Sequence, residues 1–124
     1  MISNKKKQNI LAIIPARGGS KRIPLKNLAR LDGKSLLYYT VNASLKSKLI
    51  TRTIVSTDNK KIKEESKQLG VEVIDRPKKL SDNKIGIEPA IQQVLAFLKK
   101  KEIYVPDIIV LISNTHPLIT SVHI

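Results

Sequence analysis

Ile10-Leu11-Ala12-Ile13-Ile14-Pro15-Ala16-Arg17-Gly18-Gly19-Ser20-Lys21 is the stretch on which the fold turns. Its first five residues are apolar without interruption, the pattern of a strand covered on both faces, as in a parallel sheet. A strand with one wet face would alternate instead. Pro15 closes the run, and two adjacent glycines follow. Gly18 and Gly19 can take positive φ, so the chain can turn tightly and aim successive N–H groups into one concavity. In open α/β sheets, ligands sit at the carboxyl ends of the strands, which is where this loop begins.

Working outward, the same kind of apolar run recurs. Arg52 to Ser56 is a short strand rich in β-branched residues, Val71 to Ile74 a third and Ile108 to Ile112 a fourth. Between them the period changes to that of a helix. From Ser35 to about Lys48, Leu36, Leu37, Tyr39, Thr40, Ala43 and Leu45 recur at helical spacing. Asp58 stands where an N-cap belongs and Gly70 where the same helix should stop, with Ile62 and Leu69 facing inward. Pro89 fits the first turn of a third helix that runs through Val94 and Leu98 to Lys99-Lys100-Lys101. Strand and helix therefore alternate, which predicts a parallel sheet with helices on both faces.

Composition narrows the function classes. The chain has 124 residues, so it holds one domain at most, with residues 1–9 a loose basic terminus and residues 10–124 the α/β domain. It has no cysteine, which excludes disulfides and Cys-ligated zinc. The apolar run at Ile10 is far shorter than the ~20 residues that cross a bilayer, and no signal-peptide cleavage pattern follows it. A cytoplasmic protein without a membrane partner is the expectation. The net charge of +13 raises the question of nucleic acid. Eighteen of the basic residues are Lys, however, and aromatics are only 3% of the chain, too few for the stacking platforms of single-strand readers. An anionic small molecule accounts for the charge at least as well, so nucleic acid is not the expected partner.

The loop after the first strand concentrates the chemistry. Arg17, Lys21, Arg22 and Lys26 bring positive charge, Ser20 a hydroxyl donor, and Gly18 and Gly19 the backbone turn. Guanidinium and ammonium groups around a ring of N–H donors describe a polyphosphate cradle. The loop matches neither the P-loop nor the G-x-G-x-x-G fingerprint.

Ile13-Ile14-Pro15-Ala16-Arg17-Gly18-Gly19-Ser20-Lys21, followed by Ile23-Pro24 and Lys26-Asn27, resembles the opening motif of the N-acylneuraminate (CMP-sialic acid) cytidylyltransferases. Ile54-Val55-Ser56-Thr57-Asp58 is similar to the family's second-strand motif, and Arg76-Pro77 with Leu80 and Asp82 to the segment beyond the third strand. The resemblance implies a Rossmann-like fold of the nucleotide-diphospho-sugar transferase type, here truncated, with the C-terminal half of the family fold absent. It implies transfer of CMP from CTP to an acidic nine-carbon keto-sugar, with release of pyrophosphate and with Mg2+ as cofactor. Arg17, Gly18, Gly19, Ser20, Lys21 and Lys26 would hold the triphosphate, with Arg17 and Lys21 as the catalytic pair. Asn27 would contact the ribose and Arg76 the cytosine.

Arg76 also has a plainer reading, an arginine at a strand end before a turn proline. Arg22 is more like the octulosonate group and Lys26-Asn27 like the neuraminate group, so neuraminate, legionaminate, pseudaminate and octulosonate acids all stay open. The family's metal-binding aspartates, its sugar-carboxylate arginine and its dimer arm have no counterpart in these residues. A catalytically incomplete nucleotide-binding fragment is therefore the first alternative, and a basic nucleic-acid module the second.

Overall fold

The apolar runs pair with one another. A computed structural model describes residues 8–16, 30–31, 33–77 and 88–112 of the chain. In chain order the elements are β1 (Ile10–Pro15), β2 (Arg30–Leu31), β3 (Lys34–Ser35), α1 (Leu36–Lys46), β4 (Arg52–Thr57), α2 (Lys60–Gln68), β5 (Glu72–Asp75), α3 (Glu88–Glu102) and β6 (Ile108–Leu111). Strands β5, β4, β1 and β6 form one parallel sheet in that order, while β2 and β3 make a small antiparallel pair.

Strand order and helix placement follow from one reversal. From β1 the chain steps to β4 and then β5, all in one direction, and α1 and α2 cover one face. It then returns across the sheet to β6 on the other side of β1, and α3 covers the opposite face. Right-handed crossovers require this change of face when the direction of travel reverses. The two cores show it residue by residue. Ala12, Ile14 and Val55 point to the face with Leu37 and Val41 of α1 and Ile62 of α2. Leu11, Ile13, Ile54 and Ile74 point to the face with Val94 and Leu98 of α3. Both faces of β1 and β4 are thus dry, as the unbroken apolar runs predict; each such buried side chain contributes roughly 1.5–3 kcal/mol.

Helix α1 starts on Ser35, whose Oγ accepts the Tyr38 N–H at 3.0 Å and also donates to the Glu65 carboxylate of α2. Its buried face carries Leu37, Thr40, Val41, Ala43 and Ser44. Leu45, expected inside, is half exposed. Ser44 takes an inward place because its hydroxyl meets the Thr53 Oγ1 at 2.7 Å, leaving neither polar group bare in the core.

Three further differences from expectation have physical causes. Strand β4 runs on to Thr57, so the cap of α2 moves by one residue: Asn59, not Asp58, accepts the Ile62 N–H at 3.1 Å. Gly70 ends that helix as expected, at φ +82. The β2–β3 pair had no period to betray it, being two residues a side around Gly33, which also takes positive φ. Strand β6 is apolar but not dry. It is an edge of the sheet among the described residues, and Ile108, Ile109 and Leu111 are 40–47% exposed.

Among the described residues no helix is long and apolar enough to cross a membrane. Asn9, expected in the loose terminus, is tied to the fold: its N–H donates to Asp107 Oδ2 at 2.7 Å and its carbonyl accepts the Asp107 N–H at 2.8 Å.

Candidate nucleotide site

The reversal of strand order falls between β1 and β6, and in open α/β sheets the crevice at such a switch point is the ligand site. The loop expected to cradle phosphate leaves β1 at this place. Arg17, Gly18, Gly19, Ser20, Lys21, Lys26 and Asn27 lie outside the described residues, but the residue that launches them does not. Ala16 is 1% exposed and its N–H donates to the Ser56 carbonyl at 2.9 Å, which carries the β1–β4 ladder one residue past the strand.

The neighbouring strands leave the sheet in the same way. The Arg76 N–H donates to the Thr57 carbonyl at 2.8 Å, and the Ile112 N–H to the Ile13 carbonyl at 3.0 Å. Each exit is therefore held by one further backbone bond, so the segments beyond start from fixed points. Preorganised anchoring of this kind is what positioning chemistry requires.

Arg76 is the one expected site residue within the described set, and it is not an ordinary surface arginine. It is only 6% exposed, and its Nε donates to the Ser56 Oγ at 3.3 Å. The Gln93 amide of α3 donates to the carbonyl of Asp75, the preceding residue, at 3.3 Å. A guanidinium is costly to bury and is retained inside a fold when its donors have directed partners. Ser56 and Thr57, read from sequence only as strand residues, are thus part of the site's frame. The signal that could have found them was a pair of small hydroxyl residues ending a strand of bulky apolar ones.

Asp58 directly follows β4 and Asp75 ends β5. They border an open depression of about 420 Å³ with Lys60, Lys63, Glu64 and Lys67. Lys63 Nζ pairs with the Asp75 carboxylate at 3.1 Å. Three lysines facing three carboxylates leave no net charge in this hollow to select an anion. Among the described residues no group of three or more His, Asp or Glu side chains could hold a metal ion.

A family model described as cytidylyltransferase matches residues 11–124. The chain belongs to the cytidylyltransferase family. It matches the N-terminal part of that family's CMP-sugar members, the N-acylneuraminate enzymes among them. The 3-deoxy-manno-octulosonate cytidylyltransferase of Bdellovibrio bacteriovorus is 36% identical over 111 residues, covering 90% of this chain and 41% of that protein. The pseudaminic acid cytidylyltransferase of Campylobacter jejuni is also 36% identical over 111 residues, covering 88% of this chain and 47% of that protein. The N-acylneuraminate cytidylyltransferase of Escherichia coli is 34% identical over 115 residues, 93% of this chain and 26% of that protein. This cytidylyltransferase chain therefore spans less than half the length of each of these relatives.

Among solved structures, a CMP:2-keto-3-deoxy-manno-octonic acid synthetase complexed with CTP superposes with a TM-score of 0.72 at 22% identity, covering 94% of this chain and 44% of that one. A 4-diphosphocytidyl-2C-methyl-D-erythritol synthase does so with a TM-score of 0.67 at 15% identity, covering 94% of this chain and 51% of that one. These likenesses establish the fold, a Rossmann-like nucleotidyltransferase sheet.

Proposed function

We propose that this chain is the CTP-binding half of an enzyme that transfers CMP to a neuraminate-type keto-sugar acid and releases pyrophosphate. The observation that carries the reading is the departure of the Gly-Gly loop, with Arg17, Lys21, Arg22 and Lys26, from a buried Ala16 at the switch point of the sheet. In the reaction the sugar's 2-hydroxyl oxygen bonds to the α-phosphorus, and the bond from that phosphorus to the bridging oxygen breaks. Charge builds on the α-phosphoryl oxygens and on the leaving pyrophosphate. Arg17, Ser20, Lys21 and Lys26, with the N–H groups of Gly18 and Gly19, would bind that charge, and Arg17 and Lys21 would stabilise it most as it develops. Asn27 would hold the ribose and Arg76 the cytosine.

Magnesium would enter with the triphosphate and share its charge. The described residues present no set of ligands for it. An enzyme that consumes CTP would work in the cytoplasm. A nine-carbon acid is supported by Lys26-Asn27 and by relatives named for pseudaminic, N,N'-diacetyllegionaminic and N-acylneuraminic acids. The octulosonate relatives keep the eight-carbon acid as the second candidate.

The test is turnover. The chain is incubated with CTP, magnesium and each of these sugar acids in turn, and pyrophosphate is followed. Release with a nine-carbon acid is the expected result. CTP binding without release for any acid would sink the transfer reading and leave a nucleotide-binding module. Random oligonucleotides that displace CTP at low salt would instead favour a nucleic-acid module.

A further inference from the structure

Resting on the base-contact reading of Arg76, we propose that Ser56 is a positioning residue: it aims the Arg76 guanidinium. Ser56 sits one residue before the end of β4 and is 1% exposed. Its two oxygens face two neighbours. The backbone carbonyl accepts the Ala16 N–H at 2.9 Å, on the β1 side, and the hydroxyl accepts the Arg76 Nε–H at 3.3 Å, on the β5 side. The next carbonyl, that of Thr57, accepts the Arg76 N–H at 2.8 Å. Two consecutive residues therefore hold the start of residues 17–29 and both the backbone and the side chain of Arg76.

The chemistry of each group fits the task. Nε is where the flexible stem of arginine joins its planar fork, so a bond there limits the rotation that directs the whole guanidinium. The acceptor must be small to fit the closed sheet, and neutral so that it adds no negative charge of its own beside the guanidinium. Serine meets both needs. Alanine would leave Nε facing a methyl group, and aspartate would neutralise the charge. Its backbone bond to Ala16 also ties the end of β4 to the end of β1.

The experiment compares CTP with inorganic tripolyphosphate, both with magnesium, by calorimetry on the 124-residue chain. A bond of 3.3 Å is longer than the usual N–H···O distance, so a moderate effect is expected. Ser56→Ala should raise the CTP dissociation constant about fivefold and leave tripolyphosphate within about twofold. Ser56→Thr, which keeps the hydroxyl, should bind CTP like the parent. In an Arg76→Ala background, Ser56→Ala should have no further effect on CTP, because the group it aims is gone. Melting curves check that each variant is folded; if Ser56→Ala is not, Ser56→Cys, with its poor acceptor, is measured instead.

A parent chain that prefers CTP, with Ser56→Ala keeping the same CTP-to-tripolyphosphate ratio, overturns the proposal alone. An equal loss in the Arg76→Ala background overturns it too, by showing a merely structural serine. A parent chain that binds CTP no better than tripolyphosphate removes the base-contact reading of Arg76, and this proposal falls with it.

Discussion

The two ends of the sheet each hold an arginine, and they hold it differently. At the amino end Arg52, the first residue of β4, makes a two-pronged contact with Glu72 at the start of β5, with Nε and Nη2 donating at 2.8 and 2.7 Å. Nη2 also meets Glu102 at the end of α3 at 3.0 Å, and the guanidinium lies over the Tyr104 ring. At the carboxyl end Arg76 is more deeply buried and is aimed by a neutral hydroxyl. Arg52 is matched by fixed negative charge, and the match joins β4, β5 and α3. Arg76 is directed without its charge being cancelled by Ser56. The first arrangement suits a clamp and the second suits a site that receives a polar ligand.

This contrast can be broken from either side. The largest effect is expected at the carboxyl end: Arg76→Ala should weaken CTP binding about thirtyfold, close to 2 kcal/mol, with tripolyphosphate nearly unchanged. Equal losses on both ligands would erase the distinction between the ends. Arg52→Ala should do the reverse. It should cost about 1–2 kcal/mol of stability, read as a drop of several degrees in melting temperature, with the CTP-to-tripolyphosphate ratio unmoved. The loss is limited because Glu72 and Glu102 are about half exposed and can return to water.

A smaller effect sharpens the boundary between the two regions at the start of α2. Asn59→Ala should destabilise the chain by about 1 kcal/mol through loss of the cap, and Asp58→Ala by clearly less, in thermal melts. The smallest effect is electrostatic. The Arg52 hydrogen bond holds the Glu102 carboxyl below its ordinary value of 4.5 against an opposing desolvation, with help from the nearby Arg52 and Lys101 charges. A depressed carboxylate stabilises the fold above its unfolded-state value, and that contribution is lost as pH falls through the folded-state value. Glu102→Gln should therefore lower stability slightly at neutral pH and converge with the parent as pH falls well below about 4.5, which flattens the acid limb of the profile. An unchanged acid limb would show that Glu102 contributes nothing to the clamp.

Much of the architecture was legible before any coordinates. The runs at Ile10, Arg52, Val71 and Ile108 became the four parallel strands, although only those of β1 and β4 are buried on both faces. The helices were legible from their period, and Gly70 from its place after the last turn. What was not legible depends on neighbours. Asp58 and Asn59 are adjacent and both cap well, so only the length of β4 decides between them. Leu45 is apolar yet faces water, whereas Ser44 is polar yet buried, because the partner that satisfies Ser44 comes from another element.

The site divides along the same line. The cations and glycines of the loop, and Arg76, could be read from their chemistry and their place after strands. Ser56 could be noticed as a small hydroxyl in an apolar strand, but its partner could not, since the β4–β5 register that brings Arg76, just past β5, to its hydroxyl is not written in either strand alone. The exposure of β6 was hidden for the same reason: an apolar run tells what a strand tolerates, not whether anything covers it.

The central place of β1 has a consequence in time. Of the sheet's described strands it is made first, yet it pairs with β4 about forty residues later and with β6 nearly a hundred residues later, as the Asn9–Asp107 bond beside it spans 98 positions. Few of the contacts that define the sheet are local, so loops must close before pairing rewards them, and folding of this topology is slow relative to a helical bundle. During synthesis an apolar strand with an open edge waits for its second partner, and that interval, more than the finished sheet, is where the chain is exposed to aggregation.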